Sequence, residues 1–197
     1  MKKSVLLCAS ALVIFLASCT KEETAETINP NEKTIELLVN GNPTGGNFTL
    51  FSFEEGKAVS TADSNSRKWD FGLRFETFIV NSESSGPGNA YAQVVNTPFP
   101  LVTSGALSGY KQDTTAAQRA IKGSDWYIYN NTTRQFSPIT GKTFLFVTAA
   151  NPKYAKMEIL RVDPADDNGN LVRPPVRPTK IKYTIRYNYQ KNGTPNF

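Results

Sequence analysis

Histidine is absent from this 197-residue chain, and its two cysteines, Cys8 and Cys19, sit together near the N-terminus. Methionine occurs only as the initiator and at Met157. Without histidine the commonest general base and the imidazole metal ligand are missing, and without a thiol in the body of the chain so are cysteine nucleophiles. No disulfide staples the residues beyond Cys19, so the domain must be held by its apolar core alone. No glycine-rich loop leads from a strand into a helix to cradle a phosphate. The carboxylates Asp163, Asp166 and Asp167, with Asn168 and Asn170, lack the spacing of a calcium loop and are interrupted by Pro164, the pattern of a solvated acidic loop. The chain is therefore not expected to be an enzyme, and no metal site is expected. The formal charge of +5 includes Lys2 and Lys3 of a leader, and most of the other basic residues are scattered. The one concentration, Arg173, Arg177, Lys180, Lys182 and Arg186, alternates with prolines and strand residues, as on a solvated strand face or loop. Nucleic acid is not an expected partner.

The N-terminus carries an export signal. Lys2 and Lys3 precede an apolar run from Val5 to Leu16, followed by Leu16-Ala17-Ser18-Cys19. A basic head, a short apolar run and small residues form a secretory signal peptide. The run is shorter than the roughly 20 residues that a transmembrane helix needs. Leu-Ala-Ser-Cys resembles a bacterial lipobox, which implies that Cys19 is lipidated and anchors the mature chain to a membrane surface. Thr20 stands where aspartate would signal inner-membrane retention, which favours the outer membrane or cell surface. The expected organisation is a leader at 1–18, a polar tether at 19–32 and a domain at 33–197. That domain is long enough to bury roughly 70% of its unfolded surface.

The domain reads as many short strands separated by turn signals. The strongest is the pair Thr143–Thr148 and Tyr154–Val162 around Asn151-Pro152, which predicts a β-hairpin. Its first run is apolar on both alternating sets, as in a strand covered on both faces. In its second run Ala155, Met157 and Ile159 share one face, while Lys156 and Glu158 begin the other. Met157 there is a core gap-filler, for which an unbranched thioether is suited. Trp69, Phe71, Leu73 and Phe75 alternate with polar or small residues through Lys68–Val80, predicting a half-buried strand. Asn81–Asn89 is expected to be a flexible loop, and Asp113–Lys122 a single short helix capped by Asp113 or Thr114 and ended by Gly123. An aromatic strand starts at Trp126, and the chain closes on a strand with Ile181, Tyr183, Ile185, Tyr187 and Tyr189 on one face. The fold class that follows is all-β, mainly antiparallel, a sandwich-like double sheet with one short helix.

The order of motifs resembles a known family. Phe51-Ser52-Phe53-Glu54-Glu55-Gly56-Lys57, Lys68-Trp69-Asp70-Phe71-Gly72, the strand at Trp126, the Phe146–Met157 hairpin and the tyrosine-rich strand Tyr183–Tyr189, together with the lipobox, look like the HmuY family of Bacteroidetes surface lipoproteins. The resemblance spans roughly Thr34 to the C-terminus. It implies an all-β haem-binding protein that acquires haem and passes it to a TonB-dependent outer-membrane receptor. In the type members a His pair or a Met pair clamps the iron from both sides. This sequence has neither pair, so no axial ligand set carries over. One family ligand position falls near Asn131. The other falls in Gly109–Lys122, where the available donors are Tyr110 and Lys111. The ligand-pocket candidates are accordingly Tyr110, Trp126, Tyr129 and Asn131. Tyrosinate ligation is known chemistry, but Tyr127 and Tyr129 also fit ordinary strand aromatics, one inward and one at the rim, and Trp126 and Trp69 fit core residues. The alternative on the same scaffold is a β module for a non-haem ligand or a partner protein.

Overall fold

The computed structural model describes residues 31–173 and 175–197. The leader at 1–18, Cys19 and the tether as far as residue 30 lie outside the described residues. Among the described residues there are eleven strands: β1 Glu32–Asn40, β2 Thr49–Ser52, β3 Lys57–Val59, β4 Phe71–Arg74, β5 Thr77–Val80, β6 Tyr91–Val95, β7 Tyr127–Asn130, β8 Gln135–Pro138, β9 Thr143–Val147, β10 Tyr154–Ala165 and β11 Lys180–Gln190. Nine form one sheet in the order β3-β2-β4-β1-β11-β10-β9-β6, with β5 paired to β4, and β7 and β8 form a separate two-stranded ribbon. Pairing is antiparallel except where β1 meets β4 through the single pair Asn40 and Arg74. At that narrow junction the sheet turns over on itself, so the fold is all-β and sandwich-like.

The two halves meet through aromatic rings. Phe53 of the β2 side lies 5.0 Å from Phe146 of β9, Phe71 of β4 lies 5.5 Å from Phe146, and Phe51 lies 5.7 Å from Tyr187 of β11. These centroid distances suit tilted and edge-on packing. The inward residues of β11 are the alternating set Ile181, Tyr183, Ile185, Tyr187 and Tyr189, all buried. The β9–β10 hairpin forms as its pattern predicts, with Tyr154 opposite Val147 and Met157 opposite Phe144. Residues Thr143–Leu145 and Phe146 of β9 are buried on both faces.

Met157 is 0% exposed and belongs to the main core. Replacing it with leucine keeps the volume, so the expected loss is less than about 1.5 kcal/mol. A urea midpoint that moves by much more in Met157→Leu would show that the thioether does something beyond filling space.

Three expectations are corrected. First, Asp113–Lys122 is not a helix. The segment is irregular, with a tight turn in which Gln118 N–H donates to Thr115 O at 3.0 Å, and the three-residue 3-10 turn Gly123–Asp125 follows it. A segment this short has little helical stability of its own. Its would-be capping carboxylate, Asp113, is instead engaged by residues far along the chain. Second, Lys68–Val80 is not one strand. β4 ends at Arg74, Phe75 adopts a positive φ of 49°, and β5 returns alongside β4. Phe75 N–H donates to Asn40 O at 2.7 Å and Tyr183 Oη–H donates to Phe75 O. The fold-back places Phe71 and Phe78 in the main core and sends Trp69 to a second cluster with Leu50 and Ile79.

Third, the Asn81–Asn89 loop is tied down. The buried Asn81 amide donates to Ser66 O at 2.9 Å and Trp69 O at 2.7 Å, and its oxygen accepts from Gly88 N–H at 2.8 Å. Glycine is required at position 86, where a Cβ would stand 2.2 Å from Asn81 Oδ1.

Alternation also misassigned one cation. Lys156, expected at the polar face, is only 6% exposed. The turn Phe99–Leu101 covers it, and its ammonium donates to Phe99 O at 3.0 Å and Val102 O at 2.8 Å. Burial holds its pKa below the ordinary lysine value.

Candidate functional site

The motifs that carry the family resemblance converge on one carboxylate. Asp70, buried just before β4, accepts the N–H of Phe53 at 2.8 Å through Oδ2 and the N–H of Ala149 at 2.9 Å through Oδ1. It therefore ties the β2–β3 turn to the β9–β10 turn. Burial pushes its pKa up to about 6, against the pull of the two amides. A cleft of about 370 Å³ opens beside it, with Ser52, Arg67, Thr148, Asn151 and Tyr189 among its walls. The lysines around it are paired, Lys68 with Asp63 at 2.9 Å, Lys57 with Glu55 at 3.2 Å and Lys153 with Glu54 at 3.4 Å, and Arg67 donates from Nε to Pro87 O at 3.2 Å. The mutual satisfaction of these groups marks a structural junction rather than a waiting site.

A different arrangement occupies the opposite end. β1 starts at Glu32, just past where the described residues begin, and its nine residues carry the chain about 30 Å at the usual rise per residue. At its far end Asn40 pairs with Lys180 and Arg74. The β4–β5 turn, the β7–β8 ribbon and the β10–β11 loop gather there. Phe75 of the turn lies 5.2 Å from Phe136 of the ribbon. Phe75, Phe136, Val162, Pro178 and Ile181 line a small depression of about 70 Å³, with Arg134 at its edge. Ile128 (63% exposed) and Tyr129 (50%) of the ribbon, and Leu171 and Val176 of the β10–β11 loop, are exposed. Arg134, Arg173 and Arg177 are exposed and have no carboxylate partner among the described residues. The other cations of the basic concentration are paired: Lys180 with Asp167 at 3.8 Å, Lys182 with Glu36 at 3.4 Å and Arg186 with Glu32 at 3.2 Å. An apolar depression with an unpaired guanidinium at its edge accepts an apolar body that carries a carboxylate.

The four ligand-pocket candidates are dispersed. Trp126, 1% exposed, is a core residue at the base of the ribbon, in edge contact with Phe78 at 5.5 Å and Phe136 at 5.9 Å. Tyr129 and Asn131 are exposed on the ribbon at the far end. Tyr110 is half-buried elsewhere, where a Cβ on Gly105 would meet both its phenol oxygen and the Tyr154 ring. Burial, reinforced by Tyr154, pushes the Tyr110 phenol up to about 12, so it stays protonated at neutral pH. The structure thus unites Tyr129 and Asn131 and separates both from Tyr110 and Trp126. Sequence reasoning missed Arg134 and Ile128. The signal for Ile128 was its place out of phase with Tyr127 and Tyr129. No family model matches the chain, and no curated protein matches its sequence.

Proposed function

We infer that the chain is a non-catalytic, lipid-anchored binding module of the HmuY type, displayed at the outer membrane or cell surface. It captures a tetrapyrrole at the end of the domain away from the tether and delivers it to a TonB-dependent receptor. The observation that carries this reading is the apolar depression of Phe75, Phe136, Val162, Pro178 and Ile181, with the unpaired Arg134 at its edge and Arg177 next in sequence to Pro178. Haem is an apolar plate with two carboxylates, and that surface complements both parts. Recognition here uses the ring and its carboxylates rather than axial ligation, since Met157 is enclosed in the core and Tyr110 lies apart.

Titrating the mature chain, residues 19–197, with haemin and with metal-free protoporphyrin tests this. Both are expected to bind, with dissociation constants that agree within about threefold, because the iron contributes little. Arg134→Glu combined with Arg177→Glu is expected to weaken both by about tenfold or more. Binding of haemin alone would instead place the affinity in the metal. If neither binds, the module serves a non-haem ligand or a partner protein, the reading favoured by the separation of Tyr110 from Tyr129 and Asn131.

A further inference from the structure

The face of β2, β4 and β5 turned away from the main core carries its own small apolar cluster. Leu50, Trp69 and Ile79 are buried there, with Phe48 and Val59 packed partly against them. Between this cluster and the turn Thr61–Asp63 lies a cavity of about 520 Å³, whose walls include Phe48, Leu50, Ala62, Trp69, Arg74 and Ile79. Trp69 commits its indole N–H to Ser64 O at 2.9 Å, so it offers the cavity no free donor.

Arg74 is the charged group in this wall. Its guanidinium stands 4.5 Å over the centroid of the Phe48 ring and donates from Nη1 to Gly46 O at 3.3 Å. Its Nε–H is buried with no acceptor, and no carboxylate pairs with the guanidinium among the described residues. A buried donor without an acceptor costs free energy. A carboxylate that meets the guanidinium supplies the partner the chain does not, in the fork geometry that arginine favours. One cation and no anion among the lining side chains selects against cationic ligands.

We propose that this cavity is a binding site for a small apolar monocarboxylate of about the size of phenylacetate. The carboxylate meets Arg74, and the ring lies against Phe48 and Ala62, over the buried Leu50 and Ile79. The site shares no residue with the surface at the far end of β1, so either can fail without the other.

Phenylacetate is the probe, titrated into the nitrogen-15-labelled mature chain while the Arg74 Nε–H and Trp69 indole resonances are followed. Both are expected to shift saturably, with a dissociation constant of about 0.1–1 mM for a ligand of this size. Phenylacetamide has the same shape without the charge and is expected to bind about tenfold more weakly or worse. Arg74→Met should lose binding to a similar extent, and Ala62→Phe should obstruct the cavity from its rim with Arg74 intact. Arg134→Glu should leave the titration unchanged. Equal affinity for the amide, wild-type binding in Ala62→Phe or in folded Arg74→Met, a dependence on Arg134, or no saturable shift by about 10 mM would each overturn the proposal. Should Arg74→Met fail to fold, the amide and Ala62→Phe still decide.

Discussion

Asp113→Ala is expected to destabilise the protein by about 3–5 kcal/mol, as several buried donors lose one acceptor together. The Asp113 carboxylate accepts Val80 N–H at 3.0 Å, Ser85 Oγ–H at 2.7 Å and Ala120 N–H at 2.8 Å, and pairs with Arg119 at 3.2 Å. Its backbone is held as well, with Asp113 N–H donating to Ser82 Oγ at 3.0 Å and Asp113 O accepting from Ser84 N–H at 3.0 Å. Removing the side chain strands the Val80 and Ala120 amides and leaves Arg119 with its charge uncompensated. In a domain of this size that loss corresponds to a fall in Tm of about 10 °C. Faster hydrogen exchange at Val80 and Ala120 should accompany it. A urea midpoint indistinguishable from wild type would show that water or repacking replaces the carboxylate.

Asp70→Ala is expected to cost about 2–4 kcal/mol, because the Phe53 and Ala149 amides lose their shared acceptor. Asp70→Asn should cost less but still destabilise, since its amide can accept from only one of the two N–H groups and sets a donor against the other. The pH dependence separates the two states of the native side chain. Burial raises the folded pKa to about 6, above the unfolded value of about 3.9. Between these values the folded chain holds the proton and the unfolded chain does not. Stability from this group therefore increases as pH falls from about 7 toward 4, with a slope of at most about 1.4 kcal/mol per pH unit. The gap between wild type and Asp70→Asn should widen over that interval. A gap that stays constant, or narrows as acid is added, would mean that the two amides outweigh burial and keep the carboxylate ionised.

Both aspartates show where sequence reading stops. Asp70 falls on the polar set of the Lys68–Arg74 alternation, where a solvated carboxylate is the ordinary reading, so its burial is not visible in the sequence. Its partner Ala149 is 79 residues away, and nothing local names it. Asp113 looked like a helix cap because a capping residue and a hydrogen-bond hub use the same short carboxylate. Which of the two forms depends on whether β5 is near enough to present the Val80 amide. The turn at Phe75 was hidden for the same reason. Its residues continue the period-two pattern, and the break is imposed by contacts with Asn40 and Tyr183.

The candidate binding surface divides in the same way. Asn131 entered only through the family resemblance, and Tyr129 as an aromatic of the strand that precedes it. Arg134, Arg173 and Arg177 were not separable from Lys180, Lys182 and Arg186, because a sequence counts charges without showing which have found partners. Ion pairs remove the latter three from consideration: the β1–β11 register brings Lys182 to Glu36 and Arg186 to Glu32, and the β10–β11 loop brings Asp167 to Lys180.

By itself the sequence determined the β class, the β9–β10 hairpin and the inward stripe of β11, since period-two alternation follows from the geometry of a single strand. It also determined that imidazole takes no part in this protein's chemistry. The tertiary structure alone decided that Lys156 is buried, that Asp70 and Asp113 are latches and that Arg134 stands unpaired at the edge of an apolar depression. Each of those outcomes depends on which strands stack beside one another, and burial and pairing between distant segments exist only once the sheet has folded over.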